Sequence, residues 1–419
     1  MMTQAFYTGI SGLITSQNAI DVTADNLANI NTVGFRGYNA EFASLFEENI
    51  NSVGNTGSLS DSIGVGSRLQ TTSMMLDSGS YASTDISTDL AIFGDGWFGI
   101  QNVNDTLYTR AGDFTFDENN DLVTNEGYYV LGTLGSNIQN EVLTSKIDSL
   151  VLGDITSQEI LNFPKSLSYP AEPTATVKFY GNIGTEDTSI SYGSGVVDSN
   201  GDKNNLKLLF TKSATQPASG TQWDVIATVK TLDGLTTYDT QNATVLYNDI
   251  GALLSTTLGS LNNNGSSVSI DLGTGYSGLV SSSTTARSGS TVADGAMGGE
   301  LMGYEINQNA EVIATFSNGE QSSVGKIALY HFQNDQGLER INGTNFKESS
   351  NSGEPIFFTN EAGENILGAE VKSFKLESSN VAIEESLTQL IIMQRTYGAN
   401  SKSITTADEM IQKALNMRS

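Results

Sequence analysis

The two ends of the chain share one apolar spacing that the residues between them lack. Near the N-terminus, mostly apolar residues recur at alternating steps of four and three, with one polar member: Phe6, Ile10, Leu13, Gln17, Ile20, Ala24 and Leu27. The C-terminal stretch repeats the spacing at Ile383, Leu387, Leu390, Gln394, Tyr397, Ile404, Ile411 and Leu415. Because a heptad spacing places one stripe of side chains along a helix, the sequence predicts helices over residues 3–28 and from near Asn380 to residue 417.

The second helix carries its own start signals. Ser378, Ser379 and Asn380 are candidates for the N-cap, whose side chain accepts a hydrogen bond from a free backbone N–H. Glu384 and Glu385 suit the first turn, because carboxylates interact favourably with the positive end of the helix dipole.

Neither helix can bury its apolar seam alone. We expect the two helices to pair within one chain through coiled-coil-like contacts, with Gln17 and Gln394 helping to fix the register. A pair of helices still has little core, so packing between copies of the chain is expected as well. Gly398 lowers the stability of the second helix by about 1 kcal/mol and allows a local bend.

Between the helices the sequence is typical of β-structure. Short alternating or apolar runs are separated by Asp-Gly, Asn-Gly and Glu-Gly turns. The region from about residue 161 differs, because it opens with three prolines and ends in a Ser-, Thr- and Gly-rich run that predicts a linker. We interpret it as an outer β-domain inserted into an inner one.

The predicted fold is therefore mixed α and β and multidomain, with nested all-β domains of barrel or sandwich type between the terminal helices. Residues 1–40 and 375–419 form the helical domain, and residues 41–84 form a connecting segment. Residues 85–155 and 296–374 form the inner β-domain, and residues 156–295 form the inserted outer β-domain. The glycine-rich residues 51–68 and the run over residues 280–299 are predicted to be flexible connections.

Composition excludes several functional classes. Twenty Lys and Arg stand against 47 Asp and Glu, giving a formal net charge of -27, which repels nucleic acid and anionic membrane surfaces. The chain has no Cys, so it has no disulfide and no thiolate nucleophile. The sequence has no run of about 20 apolar residues, which is the length needed to span a bilayer. The N-terminus lacks the pattern of a secretory signal peptide.

The sequence offers no catalytic group of residues. His331 is the single histidine, and it lies in an apolar strand pattern without an accompanying nucleophile motif, so a structural role is favoured. Residues 117–122 begin like a calcium loop, but Leu122 and Tyr128 replace the required Gly and Glu, so a tight turn is predicted. We therefore predict a protein that is not an enzyme and that has no catalytic residue, no cofactor and no metal site.

The stretch NLANINTVGFRG, residues 26–37, contains more chemistry than a helix stop needs. Its asparagines tolerate turn geometry and can bond local backbone groups, and its glycines let the chain reverse. Phe35 offers an apolar anchor, and Arg36 offers a charge for a carboxylate on a neighbour. The stretch predicts a docking joint between the first helix and the segment after it. Its predicted assembly residues are Asn29, Asn31, Thr32, Gly34, Phe35 and Arg36.

Several of these stretches resemble one known family. NLANINTVGFRG is similar to the signature after the N-terminal helix of flagellar rod and hook proteins, and residues 379–417 resemble their C-terminal helix. The resemblance continues through DLAIFGDGWFGIQ and GYEINQNAEVIATFSNGEQ, and the inserted region with NNLKLLFTK and QWDV is similar to the outer domain of hook proteins. It covers nearly the whole chain, and the length and the insert favour hook over rod.

The resemblance implies a structural role rather than catalysis. It implies a subunit that polymerises into a curved hollow tube outside the cell, transmits torque as a universal joint and forms part of the export channel. The implied partners are further copies of the chain, the distal rod protein, the hook cap and hook–filament junction proteins, and the type III export apparatus, through which the chain would pass unfolded without a cleaved signal.

Two alternatives remain at the level of sequence. A distal rod protein, which acts as a rigid drive shaft, would have the same ends but generally a shorter chain. A secreted β-rich hydrolase or adhesin with helical stalks would need a binding or catalytic cleft, for which the sequence supplies no residues.

Overall fold

The computed structural model of the chain describes residues 2–45, 47–49, 62–102, 105–186, 188–282 and 287–417. Helix α1 spans Met2–Ala28 and helix α2 spans Ile383–Asn416, and the described residues between them form β-strands with two short 3₁₀ turns. The mixed, multidomain and mainly β fold predicted from the sequence is confirmed, as are the two terminal helices.

The start of α2 differs from the prediction. Ala382 occupies the N-cap position and makes no side-chain cap hydrogen bond, so the proposed caps at Ser378, Ser379 and Asn380 were wrong. The reason is that the Asn380 side chain bonds the carbonyls of Met75 and Asp77 instead. Glu384 and Glu385 do lie in the first turn, and α2 continues without interruption through Gly398.

The strands follow in chain order. The connecting segment contains Tyr38–Ser44 (β1), Glu47–Asn49 (β2), Ser62–Gly64 (β3), Ser67–Met74 (β4) and Tyr81–Ser83 (β5). The first inner passage contains Leu90–Phe93 (β6), Trp97–Gln101 (β7), Thr106–Thr109 (β8), Phe114–Phe116 (β9), Leu122–Thr124 (β10), Tyr129–Leu134 (β11), Ile138–Gln139 (β12), Val142–Leu143 (β13), Glu159–Ile160 (β14) and Ser168–Tyr169 (β15). The outer passage contains Thr176–Asn182 (β16), Ser189–Val197 (β17), Lys203–Lys212 (β18), Thr221–Thr231 (β19), Thr237–Tyr247 (β20), Leu253–Thr256 (β21), Leu261–Asn263 (β22), Ser266–Asp271 (β23), Leu279–Val280 (β24) and Arg287–Ala293 (β25). The return passage contains Gly299–Ile306 (β26), Glu311–Phe316 (β27), Gln321–Ile327 (β28), Leu329–Tyr330 (β29), Glu339–Asn342 (β30), Asn345–Lys347 (β31), Phe358–Thr359 (β32), Asn365–Ile366 (β33), Glu370–Ser373 (β34) and Lys375–Glu377 (β35).

The connecting segment forms a ribbon along α1. Strands β1 and β4 pair antiparallel, and the Thr15 hydroxyl on α1 donates to the carbonyl of Ser67 at 3.0 Å. The predicted flexible connection over residues 51–68 lies partly outside the described residues. Its described part, residues 62–68, belongs largely to β3 and β4, so this part is strand rather than free linker.

The inner β-domain is built from the first inner passage and the return passage together. Its main path runs β12-β13-β15-β26-β27-β28-β11-β7-β8-β31-β30, so strands from before and after the outer passage alternate in one sheet. Fully buried side chains such as Phe98, Phe114 and Phe316 fill its core. The domain therefore requires both passages to be present before it can fold.

The outer β-domain packs a five-stranded sheet, β17-β18-β19-β20-β21, against a second sheet that contains β22, β23, β16, β24 and β25. Burial alternates strictly along most of β18 and β19, which is the pattern of strands with one face in a core and one in solvent. Trp223 and Phe210 are fully buried in this separate core.

The boundary of the outer domain differs from the predicted residues 156–295. Strands β14 and β15 pair with strands of the inner domain, and Leu161 and Phe163 are buried in the inner core. The chain therefore crosses outward only after Tyr169. The prolines were interpreted as a domain boundary, but the apolar residues between them pack inward.

The return crossing lies beside the outward one. Glu172 and Ala296 exchange backbone hydrogen bonds of 2.8 and 2.9 Å, and the Asp294 carboxylate accepts from the N–H groups of Ala175 and Thr176 at 2.9 Å. In the run over residues 280–299, residues 287–293 form β25, which pairs with β16. Residues 283–286 of the predicted connection lie outside the described residues, and residues 287–293 are strand rather than free linker. The two domains are joined by adjacent extended segments at Glu172 and Ala296.

Candidate assembly surfaces

Helix α1 approaches α2 at two of its glycines. A Cβ atom placed on Gly9 would lie 2.7 Å from Cγ1 of Ile404, and one on Gly12 would lie 2.6 Å from Nδ2 of Asn400. Ala407, also on α2, is buried. Because the distance between helix axes depends on the side chains at the contact, these residues allow a close approach. The structure thus contains the predicted pairing within one chain.

The apolar seam predicted on α1 flanks this contact rather than forming its centre. The residues of α1 that are buried lie one or two positions away from the seam: Gly9, Thr15, Ser16, Ala19, Thr23 and Asn26. Of the seam, Phe6, Ile10, Leu13, Ile20 and Leu27 are half-buried, and Gln17 and Ala24 are exposed. The prediction located the helix correctly, but Gly9 and Gly12 are the residues that approach α2, while Thr15 and Asn26 contact the β1–β4 ribbon.

The seam predicted on α2 is even less covered. Leu390, Ile404 and Ile411 are half-buried, whereas the remaining seam residues are exposed: Ile383, Leu387, Gln394, Tyr397 and Leu415. Ile383, Leu387 and Ile391 follow one another at steps of four, and their exposed fractions are 52%, 42% and 52%. We call these three residues the exposed apolar stripe, because a step of four keeps them on one helix face.

The second surface is a joint that links the helices to the inner β-domain. The joint consists of residues 29–37, Arg110 and residues 377–380. Gly34 has a φ of 67° and donates its N–H to the carbonyl of Glu377 at 2.8 Å. A Cβ on Gly34 would lie 2.3 Å from the backbone N of Ala111, so both the positive φ and the close approach require glycine.

A buried charge cluster lies at the centre of the joint. Nη2 of Arg36 is 2.9 Å from Oε1 of Glu377, and Nη1 of Arg110 is 3.4 Å from Oε2 of the same carboxylate. All three side chains are at most 4% exposed. Burial, followed by the neighbouring charge of Arg36, lowers the pKa of the Arg110 guanidinium to about 10, while Glu377 opposes this shift.

Backbone carbonyls also accept hydrogen bonds from the two arginines. Arg36 donates to the carbonyl of Asp77, and Arg110 donates to that of Gly94 at 2.9 Å. Arg110 also lies over the Trp97 ring at 5.5 Å. A buried charge is tolerated only when it is paired and hydrogen-bonded. These contacts therefore hold the loop after α1, the inner β-domain and the segment before α2 in one arrangement.

Asn380 and Asn26 tie the two helices to the joint. The Asn380 side chain accepts from Gly37 N–H at 2.8 Å and donates to the carbonyls of Met75 and Asp77. The Asn26 side chain exchanges two hydrogen bonds with the backbone of Tyr38, at 2.7 and 2.9 Å. Each asparagine uses its amide as a donor and an acceptor, which anchors one helix end to extended backbone.

The predicted loop residues divide between buried and exposed positions. Phe35 is 1% exposed and is the predicted apolar anchor, while the carboxylate that meets Arg36 belongs to Glu377 of the same chain. Asn29 donates to Asp25, and Thr32 donates to Asn29. Asn31 is exposed. The stretch is therefore a joint within the chain.

Sequence reasoning missed Glu377 and Arg110 as partners in the joint. Arg110 and Glu377 are 267 positions apart, so no local pattern connects them. The available signal was the charge at the C-terminal end of a short strand, Lys375–Glu377, with five residues between it and the helix.

The other residues singled out by sequence have structural roles. His331 is 4% exposed, its Nε2 is 2.6 Å from the Leu367 carbonyl, and burial lowers its pKa. At the turn between β9 and β10, the Asp117 carboxylate accepts from the N–H groups of Asn119 and Asp121, which confirms the predicted tight turn. Across the described ranges, no three His, Cys, Asp or Glu side chains are grouped to hold a metal ion. None of the helices in those ranges combines the length and apolar character needed to span a membrane.

Comparison with known proteins gives three family matches, which cover the two helices and part of the inner β-domain. Residues 6–36 match the family described as flagella basal body rod protein, residues 91–156 match the flagellar hook protein FlgE/F/G D1 domain, and residues 373–417 match the C-terminal region of the flagellar basal body rod FlgEFG proteins. The chain is 30% identical to flagellar hook protein FlgE of Borreliella burgdorferi, with both chains covered completely. The chain belongs to the flagellar hook protein family.

Further relatives agree with this assignment. The hook protein FlgE of Brucella suis is 29% identical over 98% of each chain, and that of Salmonella typhimurium is 25% identical over 99% of this chain. The crystal structure of Helicobacter pylori flagellar hook protein FlgE2 covers 71% of this chain and all of that chain, with 16% identity and a TM-score of 0.52. This last likeness supports the fold.

The three matched family regions of this hook-family chain meet at the joint. Arg36 comes from the first region, Arg110 from the second and Glu377 from the third. The outer β-domain lies outside all three. The buried cluster thus connects the parts that hook and rod proteins share.

Proposed function

We propose that this chain is the structural subunit of a flagellar hook, which polymerises into a curved hollow tube. The observation that carries this proposal is the exposed apolar stripe on α2 of a full-length hook-family chain. Exposed contiguous apolar surface of this kind marks an interaction site. Pairing with α1 leaves the stripe uncovered, so other copies of the chain would cover it.

In this proposal, helices α1 and α2 line the inside of the tube. The seam residues of both helices, with their polar members Gln17 and Gln394, would form coiled-coil-like contacts within and between subunits. The acidic β-domains would face solvent, where a net charge of -27 keeps a large assembly soluble. The bore of the tube would serve as part of the export channel.

The tube would act as a universal joint between rod and filament. Each subunit must then change its contacts with its neighbours once per revolution while its own domains stay folded. The separate cores of the inner and outer β-domains supply rigid bodies, and the paired crossing at Glu172 and Ala296 connects them. Wet polar contacts between outer domains would rearrange more readily than dry apolar ones.

The proposed location is the hook, outside the cell. The proposed partners are other copies of the chain, the distal rod protein, the hook cap, the hook–filament junction proteins and the type III export apparatus. A chain without Cys suits export in an unfolded state, because it forms no stray crosslinks. We propose a mechanical role without catalysis.

Electron microscopy of the purified full-length chain tests this proposal. We expect tubular polymers with a central channel and a tendency to curve. Antibody labelling of isolated hook–basal bodies should mark the segment beyond the rings. Labelling confined to the rod within the rings would instead assign the chain to the distal rod, and a stable monomer under all polymerising conditions would contradict the hook proposal.

A further inference from the structure

The outer β-domain has a groove on its solvent-exposed surface, outside its own core. The exposed faces of β18 and β19 and the turn after β19 enclose a cavity of about 290 Å³. Its walls include Lys207, Leu209, Ile226, Lys230 and Leu232, and we call these residues the basic groove. Leu209 and Ile226 are directly opposite each other in the strand register, so they share one face of the sheet.

The charge of the groove is opposite to that of the chain. The protein has 47 acidic residues, yet within the described residues neither Lys207 nor Lys230 forms an ion pair. Asp233 lies in the adjoining turn, where its carboxylate accepts from the Thr231 hydroxyl and the Leu235 N–H. The two lysines are therefore free to interact with carboxylates of another molecule.

The groove also exposes apolar side chains. Ile226 is 42% exposed and lies beyond Lys207 in the strand register, and Leu232 is 69% exposed and follows Lys230 by two residues. An occupant that matches both properties must present apolar side chains next to carboxylates, because complementary charge selects a partner while apolar contact supplies much of the affinity.

The chain itself presents such a surface on the inner β-domain. Strands β32 and β33 form a hairpin in which Phe358 pairs with Ile366, and these side chains are 45% and 40% exposed. The turn between them carries Glu361 and Glu364, which are exposed and form no ion pair in the described residues. We call residues 358–366 the acidic hairpin.

The acidic turn at residues 117–121 is a poorer match. Leu122, which follows it, is fully buried, and Phe116, which precedes it, is packed against the inner core. That turn offers carboxylates without an exposed apolar pair, whereas the acidic hairpin offers both.

We propose that the acidic hairpin of one copy docks into the basic groove of a second copy. This inference rests on the proposed polymer, in which neighbouring copies are held at high effective concentration and a weak contact becomes populated. The contact joins the inner domain of one subunit to the outer domain of the next. Because its charged pairs lie at the solvent-exposed surface, where an ion pair contributes little, the contact would break and re-form as neighbours move.

Charge reversal tests the docking directly. We expect Lys207→Glu with Lys230→Glu to raise the critical concentration for polymerisation about three- to tenfold at low ionic strength, and Glu361→Lys with Glu364→Lys to do the same. The chain that carries all four changes should polymerise nearly as the wild type does. The effect should shrink at about 0.5 M salt, where the screening length is a few ångströms.

Matched controls separate docking from net charge. Lys178→Glu changes an exposed lysine on the other sheet of the same domain, and Glu118→Lys changes an exposed carboxylate in the other acidic turn. Neither should alter the critical concentration by more than about twofold. If the four-residue variant is weaker than either pair alone, or if the controls match the test variants, the docking is wrong while the hook proposal stands.

Disulfide crosslinking tests the docking without requiring the chain to polymerise. The chain has no Cys, so a copy with Leu232→Cys mixed with a copy with Ile366→Cys has no background thiol. Under mild oxidation we expect the mixed disulfide dimer, and we expect none when Val292→Cys replaces Leu232→Cys, since Val292 is 56% exposed on another strand. Equal crosslinking in both mixtures would overturn the docking. Failure of the wild-type chain to form tubes would count against the hook proposal alone.

Discussion

At the scale of single residues, the joint depends on a carboxylate that serves two cations. Glu377 lies between Arg36 and Arg110, and its backbone carbonyl accepts from Gly34 while its side chain accepts from Gly79 N–H at 3.1 Å. One residue therefore contacts the loop after α1, the inner β-domain and the connecting segment. Removing its charge leaves two buried guanidiniums without their ion-pair partner.

We expect Glu377→Gln to destabilise the inner β-domain and joint by about 3–5 kcal/mol, the usual range when one partner of a buried ion pair is removed. Denaturant unfolding followed by Trp97 fluorescence measures this, in a Trp223→Phe background that leaves one tryptophan. Lys347→Gln is the matched control, because it breaks the exposed pair with Asp105. An equal loss of stability in both variants would contradict a special role for the buried cluster.

His331 predicts a separate dependence of stability on pH. Burial holds its pKa below the ordinary 6.5, although the hydrogen bond to the Leu367 carbonyl opposes this. As the pH falls through 6.5, the unfolded chain binds a proton that the folded chain does not, so the free energy of unfolding decreases until the native imidazole also titrates.

The expected slope is at most one proton, or about 1.4 kcal/mol per pH unit, over the range just below pH 6.5. Unfolding midpoints between pH 7.5 and pH 5 measure it. Because the chain has one His, His331→Gln should remove the slope in this range. An unchanged slope in His331→Gln would show that other groups cause it.

At the scale of elements, the heptad spacing gave the position of both helices, since that spacing is a local property of the chain. It did not give the contact between them. Gly9 and Gly12 add nothing to an apolar pattern, although their lack of a side chain is what lets α2 approach. Large residues at the seam are then left at the flank, where a second copy could cover them.

Other features were hidden because they depend on distant partners. The cap candidates before α2 were plausible locally, but the Asn380 side chain forms hydrogen bonds with the backbone of Gly37, Met75 and Asp77 instead. The domain boundary was placed too early because Leu161 and Phe163 follow a composition change but pack in the inner core. Sequence shows what a segment can do locally, and the tertiary fold decides which option is used.

The exposed apolar stripe gives a prediction for α2. We expect Leu387→Glu to abolish or strongly reduce polymerisation, because burying a carboxylate in an apolar contact between subunits is unfavourable. The unfolding midpoint of the monomer should be unchanged, since Leu387 is 42% exposed in the single chain.

Sedimentation of polymer and thermal unfolding of monomer measure the two effects. Thr406→Glu is the matched control, because Thr406 is exposed on a polar part of the same helix between Lys402 and Lys413. Normal polymer from Leu387→Glu would exclude the stripe from the contact between copies. A large loss of monomer stability would show instead that the residue packs within the chain.

At the scale of the whole molecule, each domain is inserted into the one before it. The chain leaves the helical domain, passes through the inner β-domain, forms the outer β-domain and returns in reverse order. At each level the outgoing and returning segments contact each other, as Arg36 and Glu377 do at the joint and Glu172 and Ala296 do at the outer crossing. Force applied to the helices would therefore reach the outer domain through paired segments.

This nesting predicts that the outer β-domain can be removed without unfolding the rest. Thr174 and Gly295 are in contact, because a Cβ on Gly295 would lie 2.2 Å from Oγ1 of Thr174. Deleting residues 175–293 and joining the ends through a short glycine link should leave the inner core and the joint intact. Trp97 then becomes the sole tryptophan and reports whether the inner β-domain is folded.

We expect the shortened chain to form tubes at a higher critical concentration, with altered curvature or stiffness measured from electron micrographs. The terminal helices retain the contacts that build the tube, while the contacts made by the outer domain are lost. A folded shortened chain that forms no polymer would show that the outer domain is needed for assembly itself. If the tubes of the shortened chain have wild-type curvature and stiffness, the outer domain does not contribute to the mechanics of the hook.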